Sequence, residues 1–194
     1  MVWLNQIIFW APLIVAVVIL LWLWRKTVLN TQIEKKHLRN VIIIILVIYI
    51  LQILGRLALL YYSLKKSQLG IYLLPGKGTN YFYVTTYDIF KPFVIALAIA
   101  AGLALIVFLI NRYLKKPWFE TNDIYLIFIT SFLVGFPGVI ILLLATLILM
   151  VIWQIIFRIQ RINFAPFLIF VAILILILSN FPFYQKFLGW IHLI

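Results

Sequence analysis

Glu34, Asp88, Glu120 and Asp123 are the whole acidic complement of this chain, set against 16 Lys and Arg. Carboxylates hydrolyse amides in pairs: one, ionised, deprotonates water while the other, protonated, polarises the carbonyl. Like charges held close push the two pKa values apart, which creates that division of labour. Asp123 leads the candidates because it opens an apolar run, with no charge from Ile124 to Phe157. An ionisable group at such a membrane boundary is costly, and its default reading is functional. A structural role is equally open, since Asp caps the first N–H groups of a helix, and the two roles can coexist. Any partner for Asp123 comes from Glu34 or, less favourably, from Glu120. Glu34 lies beside Lys35, Lys36 and Arg39, and acids in such charge runs are usually solvated.

Other chemistries lack their residues. With no cysteine there is no disulfide, thiolate metal site or cysteine nucleophile. His37 and His192 lie far apart and in no ligand-like spacing, so both read as solvated or interfacial. No metal or other cofactor is expected. Pro75-Gly76-Lys77-Gly78-Thr79 lacks the spacing of a phosphate loop and reads as a turn. Arg56, after Gly55 in an apolar stretch, either pairs with a carboxylate inside the bundle or snorkels along its stem.

These side chains need elements to position them, and the composition says which. The chain has 194 residues, 67% hydrophobic and 10% charged, with a mean hydropathy of +1.22. No soluble fold of this size buries so much apolar surface, so lipid must cover it. The expected fold is all-α: a single integral-membrane domain, 1–194, forming a polytopic bundle of about six spans. The segments are Val2–Trp24, Val41–Tyr62, Pro92–Ile110, Asp123–Val134, Pro137–Phe157 and Ala165–Asn180. The first has no basic stretch before it and no small-residue cleavage site after it, so it reads as a retained span. The fourth is short and ends at Gly135-Phe136-Pro137-Gly138, which predicts a tight helical hairpin with the fifth.

The net charge of +12 raises nucleic acid as a partner. The basic residues, however, sit in short clusters between apolar runs, the pattern of topology signals and anionic-lipid contacts. The lipid bilayer is therefore the expected partner and nucleic acid is not. Arg25, Lys26, Lys35, Lys36, Arg39, Arg112, Lys115, Lys116, Arg158 and Arg161 fall on one side, ten against five on the other. The richer side is expected to be cytoplasmic, with both termini outside a plasma membrane. Glu34, Glu120 and Asp123 then share the cytoplasmic face and Asp88 the outer one. Trp3, Trp22, Trp24, Trp118 and Trp190 lie near span ends, as interface anchors do.

Over Asp88–Ser179 the order and offsets of residues resemble the type IV prepilin peptidases, polytopic membrane aspartic proteases. Glu120-Thr121-Asn122-Asp123 stands where that family has Gly-x-Gly-Asp opening a helix, and Leu126 and Gly135 fall at matching offsets. Asn163-Phe164-Ala165-Pro166-Phe167-Leu168 is similar to the stretch that opens the family's last span. The resemblance implies an aspartic endopeptidase acting on pilin-like leader sequences at the cytoplasmic face, with Asp123 and Glu34 as the catalytic pair. Departures accompany it. Glu120 and Asn122 replace both signature glycines, and Tyr125 stands where a basic residue is expected. The family's first aspartate has no counterpart, since counting back from Leu38-Arg39-Asn40 reaches Asn30, Thr31 or Gln32. The alternative is a catalytically inactive membrane scaffold within a pilus or secretion assembly. A small transporter has less support, because no span carries a midplane acid.

Overall fold

The computed structural model describes residues 2–29, 33–76, 80–114, 119–158, 163–182, 184 and 186. Among them the chain is all-helical: α1 (Val2–Val28), α2 (Lys35–Lys66), a 3-10 turn (Gly70–Leu73), α3 (Tyr81–Tyr113), α4 (Thr121–Val134), α5 (Gly138–Phe157) and α6 (Phe164–Leu178). Residues 77–79 of the Pro75 turn, residues 30–32, Lys115, Lys116, Trp118, Arg161, Trp190 and His192 lie outside the described residues.

Each of the six expected apolar segments is a helix, but they are not six equal spans. Four helices are long and apolar enough to cross a membrane: α1 from Gln6, α2, α3 and α5. With 14 and 15 residues, α4 and α6 reach only about 21 and 22 Å at 1.5 Å per residue. A hydrocarbon core of about 30 Å exceeds both. By the same measure α2 and α3, with 32 and 33 residues, run to about 48 and 50 Å.

The long helices outrun their expected ends because charged residues extend them rather than stop them. Lys35, Lys36 and Arg39, expected in a loop, form the first turns of α2, and Lys65 and Lys66 close it. Pro92, expected to begin the third span, lies inside α3, which starts eleven residues earlier at Tyr81. Asp88 is consequently an exposed residue within α3 rather than part of a loop.

The expected break between α4 and α5 is present. Gly135 caps α4 with φ +65° and ψ −178°, a conformation essentially confined to glycine. Pro137, following a cis Phe136–Pro137 bond, lacks the N–H to continue a helix, and α5 begins at Gly138. The packing that follows differs from a simple hairpin: α4 lies chiefly against α3 and α6 and only secondarily against α5. Its inner face carries Leu126, Ile127, Ile129, Phe132 and Leu133, all buried. Phe132 is the hub of an aromatic cluster, with ring centroids 5.1 Å from Tyr49 of α2, 5.6 Å from Phe93 of α3 and 6.2 Å from Phe128. α6 packs on α1, α4 and α5 and buries Leu168, Ile169, Ala172 and Leu176.

Candidate functional site

Three helix ends meet at one end of the bundle: the start of α2, the end of α3 and the start of α4. They border an open cavity of about 830 Å³ lined by Ile33, Glu34, Lys35, Phe108, Asn111, Arg112, Phe119, Glu120, Thr121, Asn122 and Ile124. Two side-chain amides hold the rim together. Asn111, near the end of α3, donates Nδ2 to the Phe119 carbonyl at 2.7 Å and accepts the Phe119 N–H on Oδ1 at 3.1 Å. It thus pairs with both backbone groups of one residue, as a neighbouring strand would. Asn122 donates Nδ2 to the Ile33 carbonyl at 3.1 Å, tying the segment that carries Glu34 to the first turn of α4. The Phe119 ring meets Phe164 at 5.7 Å, edge to face, which brings the start of α6 to the same end.

The three expected site residues divide between two environments. Glu34 is the residue before α2, and its side chain is 73% exposed, with Oε2 3.6 Å from His37 Nδ1. His37 is exposed as well, in keeping with the solvated reading. Glu120, exposed, lines the same cavity. Asp123 is 8% exposed and is not among the lining residues. Its Oδ2 accepts the Glu120 N–H at 2.9 Å, and its own N–H donates to the Glu120 carbonyl at 3.0 Å. The carboxylate therefore satisfies one of the orphan donors at the start of α4 and lies at the positive end of the helix dipole. The structure brings Glu34 and Glu120 to one cavity and turns Asp123 toward the protein.

Arg112 and Lys35 lie beside the two glutamates in the lining. The cavity thus offers two carboxylates, two cations and two primary amides around apolar patches from Ile33, Phe108 and Ile124. Such a surface can hold a polypeptide segment with charged side chains. Asn111 had no motif to mark it in the sequence, and Asn122 was marked only as the residue standing where the resembled signature has a glycine; neither reading pointed to its hydrogen bond. No group of three or more His, Asp or Glu side chains able to hold a metal occurs among the described residues.

No family model, curated protein or solved structure matches the chain.

Proposed function

We propose that this chain is a divergent prepilin-peptidase-like membrane protein that holds a pilin-like precursor without cleaving it, at the end of the bundle where α2, α3 and α4 meet. One observation carries this reading: the Asp123 carboxylate is engaged as a helix cap and lies outside the cavity that Glu34 and Glu120 line. A hydrolytic pair needs both carboxylates on one water, and here the best-placed acid faces inward. The ordered resemblance over Asp88–Ser179 supports the family, and the charge count supports a cytoplasmic placement of this end. The cavity supplies the means of holding a peptide. Its carboxylates suit cationic side chains and its cations suit acidic ones, each pairing strengthened by partial removal from water.

A peptidase reading is favoured by a different contact. The Asn122 side chain fastens the Ile33 carbonyl to α4, which keeps Glu34 beside the turn that contains Asp123. Rotation of Asp123 out of its cap would add its carboxylate to those of Glu34 and Glu120 at that mouth, so that Asp123 and Glu34 could divide the roles of base and acid. Purified chain incubated with a pilin-like precursor separates the readings. A scaffold yields cross-links from Glu34 and Asn122 positions with no cleaved product. Cleavage abolished by both Asp123→Asn and Glu34→Gln would establish the peptidase instead.

A further inference from the structure

A second cavity, of about 410 Å³, lies between α1, α2 and α3 and the last turns of α4 and α6, and that function does not use it. Its polar side chains fall into two groups. Ser179 and Asn180 both donate to the Leu176 carbonyl at 2.9 Å, and Arg56 already has an interaction partner. Tyr49 and Gln52, one turn apart on α2, line the cavity unspent: among the described residues neither side chain makes a hydrogen bond. They lie about 21 and 26 Å from the start of α2 at Lys35, and about 26 and 21 Å from its end at Lys66. The pair thus sits at the middle of a span, where hydrocarbon offers a polar group nothing to bond. Phe93 and Phe132 wall the cavity beside them, with ring centroids 6.3 and 5.1 Å from the Tyr49 ring. Among the described residues no carboxylate lines it.

We propose that this cavity binds an uncharged lipophile that carries a carbonyl on an aromatic or quinonoid ring. The charges argue for neutrality. No carboxylate lines the cavity to hold a cation, and its one guanidinium is already engaged, so neither sign of charge is what the site lacks. What it lacks is a hydrogen-bond acceptor. A phenolic O–H and a primary amide N–H three residues apart are neighbours on one helix face and can converge on one atom. A ring carbonyl has two lone pairs and takes both. The ring that carries it meets Phe93 and Phe132, where offset or edge-to-face contact adds to apolar burial. Size and character agree, since small-molecule sites of about 300–1,000 Å³ pair apolar walls with a few convergent polar groups. An acyl chain would fill the space but leave both donors unmet. Water would meet the donors but must also wet the aromatic wall.

The test uses the full chain in detergent with benzophenone, whose light-excited carbonyl joins covalently to nearby C–H bonds, and locates the labels by peptide mass spectrometry. Labelling should saturate and fall on the cavity walls, around residues 49–53 of α2 and Phe93 of α3. Fluorenone should suppress it about three- to tenfold more effectively than fluorene, which has the same rings and no carbonyl; that ratio is the one expected for a hydrogen bond inside a membrane protein. Gln52→Leu should weaken labelling by a similar factor and bring the two competitors together. It should do so without loss of stability, because the amide has no bond to lose. Tyr49→Phe keeps the ring contacts, removes the hydroxyl, and carries the same expectation where Gln52→Leu does not fold. Labels spread without saturation over the outward-facing Leu51 and Leu54, 61% and 53% exposed, would show partitioning into the micelle and overturn the proposal. Equal suppression by fluorene and fluorenone, or unchanged labelling in either variant, would overturn it too. Stronger suppression by fluorene-9-carboxylate than by fluorenone would overturn it by assigning the site to an anion.

Discussion

α4 and α6 bury far more of their side chains than the helices that are long enough to span. Eight residues of α4 and eight of α6 are buried, against four of α2 and two, Ala96 and Ala100, of the 33-residue α3. All four helices are apolar, so hydrophobicity does not separate them; position does. In lipid there is no hydrophobic penalty for leaving Leu or Ile outside, and helices associate through close packing and hydrogen bonds instead. The long helices form a wall whose outer surface, including Leu105 and Ile106 of α3, is left exposed by the bundle. The two short ones form the packed interior. The start of α4, not its middle, lines the cavity that Glu34 shares.

The contrast is easiest to break at the aromatic hub. Phe132→Ala should destabilise the chain by about 2–3 kcal/mol, chiefly by leaving a void among Tyr49, Phe93 and Phe128. That is less than the ~3–5 kcal/mol typical of soluble cores, because lipid removes much of the transfer component. Ile106→Ala on the exposed face of α3 should cost less than about 0.5 kcal/mol. Reversible unfolding in mixed micelles, followed by tryptophan fluorescence, measures both; equal costs would end the distinction between wall and interior.

Gly135→Ala tests whether the end of α4 is fixed by its backbone. A Cβ there meets nothing closer than the Ala96 methyl at 3.9 Å, so the expected loss of about 1–3 kcal/mol is conformational. A neutral result in the same assay would mean that another residue type tolerates the turn.

Asp123→Ala should cost about 1 kcal/mol through loss of the cap, and Asn163→Ala, whose Oδ1 accepts the Ala165 N–H at 3.1 Å, a similar amount. Hydrogen exchange of the first-turn amides of α4 and α6 would localise each effect. An Asp123→Ala chain of unchanged stability would return that residue to chemistry alone.

The smallest effect has the opposite sign. Gly102 lies within α3, and an alanine methyl at this position would meet no neighbour within 4 Å. Gly102→Ala should therefore stabilise by about 0.5 kcal/mol through reduced backbone freedom in the unfolded chain. A loss of stability would show that the α3 wall is covered by something other than lipid.

The all-helical class and the break at Gly135–Gly138 were legible because each has a local cause: long apolar runs in one case, Gly and Pro chemistry in the other. Helix ends were less so. α2 absorbs Lys35, Lys36 and Arg39, and α3 runs through Pro92, since charged side chains continue a helix past the hydrocarbon and a proline is tolerated when neighbouring helices support it. The site was legible as a region but not as a geometry. Glu34, Glu120 and Asp123 do belong to one end, yet a residue's place in sequence does not say toward which side its carboxylate turns. A capping role and a catalytic one ask for the same residue type at the same position. The contacts of Asn111 and Asn122 were invisible because an amide bond to a distant backbone group leaves no periodic trace.

Asn111 has a practical corollary. Its hydrogen bonds to Phe119 hold the start of α4 against the end of α3. A flexible insert in the connection between Leu114 and Phe119 should therefore leave α4 seated, since doubling the length of a flexible closure adds only about 0.6 kcal/mol of entropy. That stretch is the natural place to graft a fluorescent reporter or an epitope, and Asn111→Ala is the change that should make such a graft intolerable.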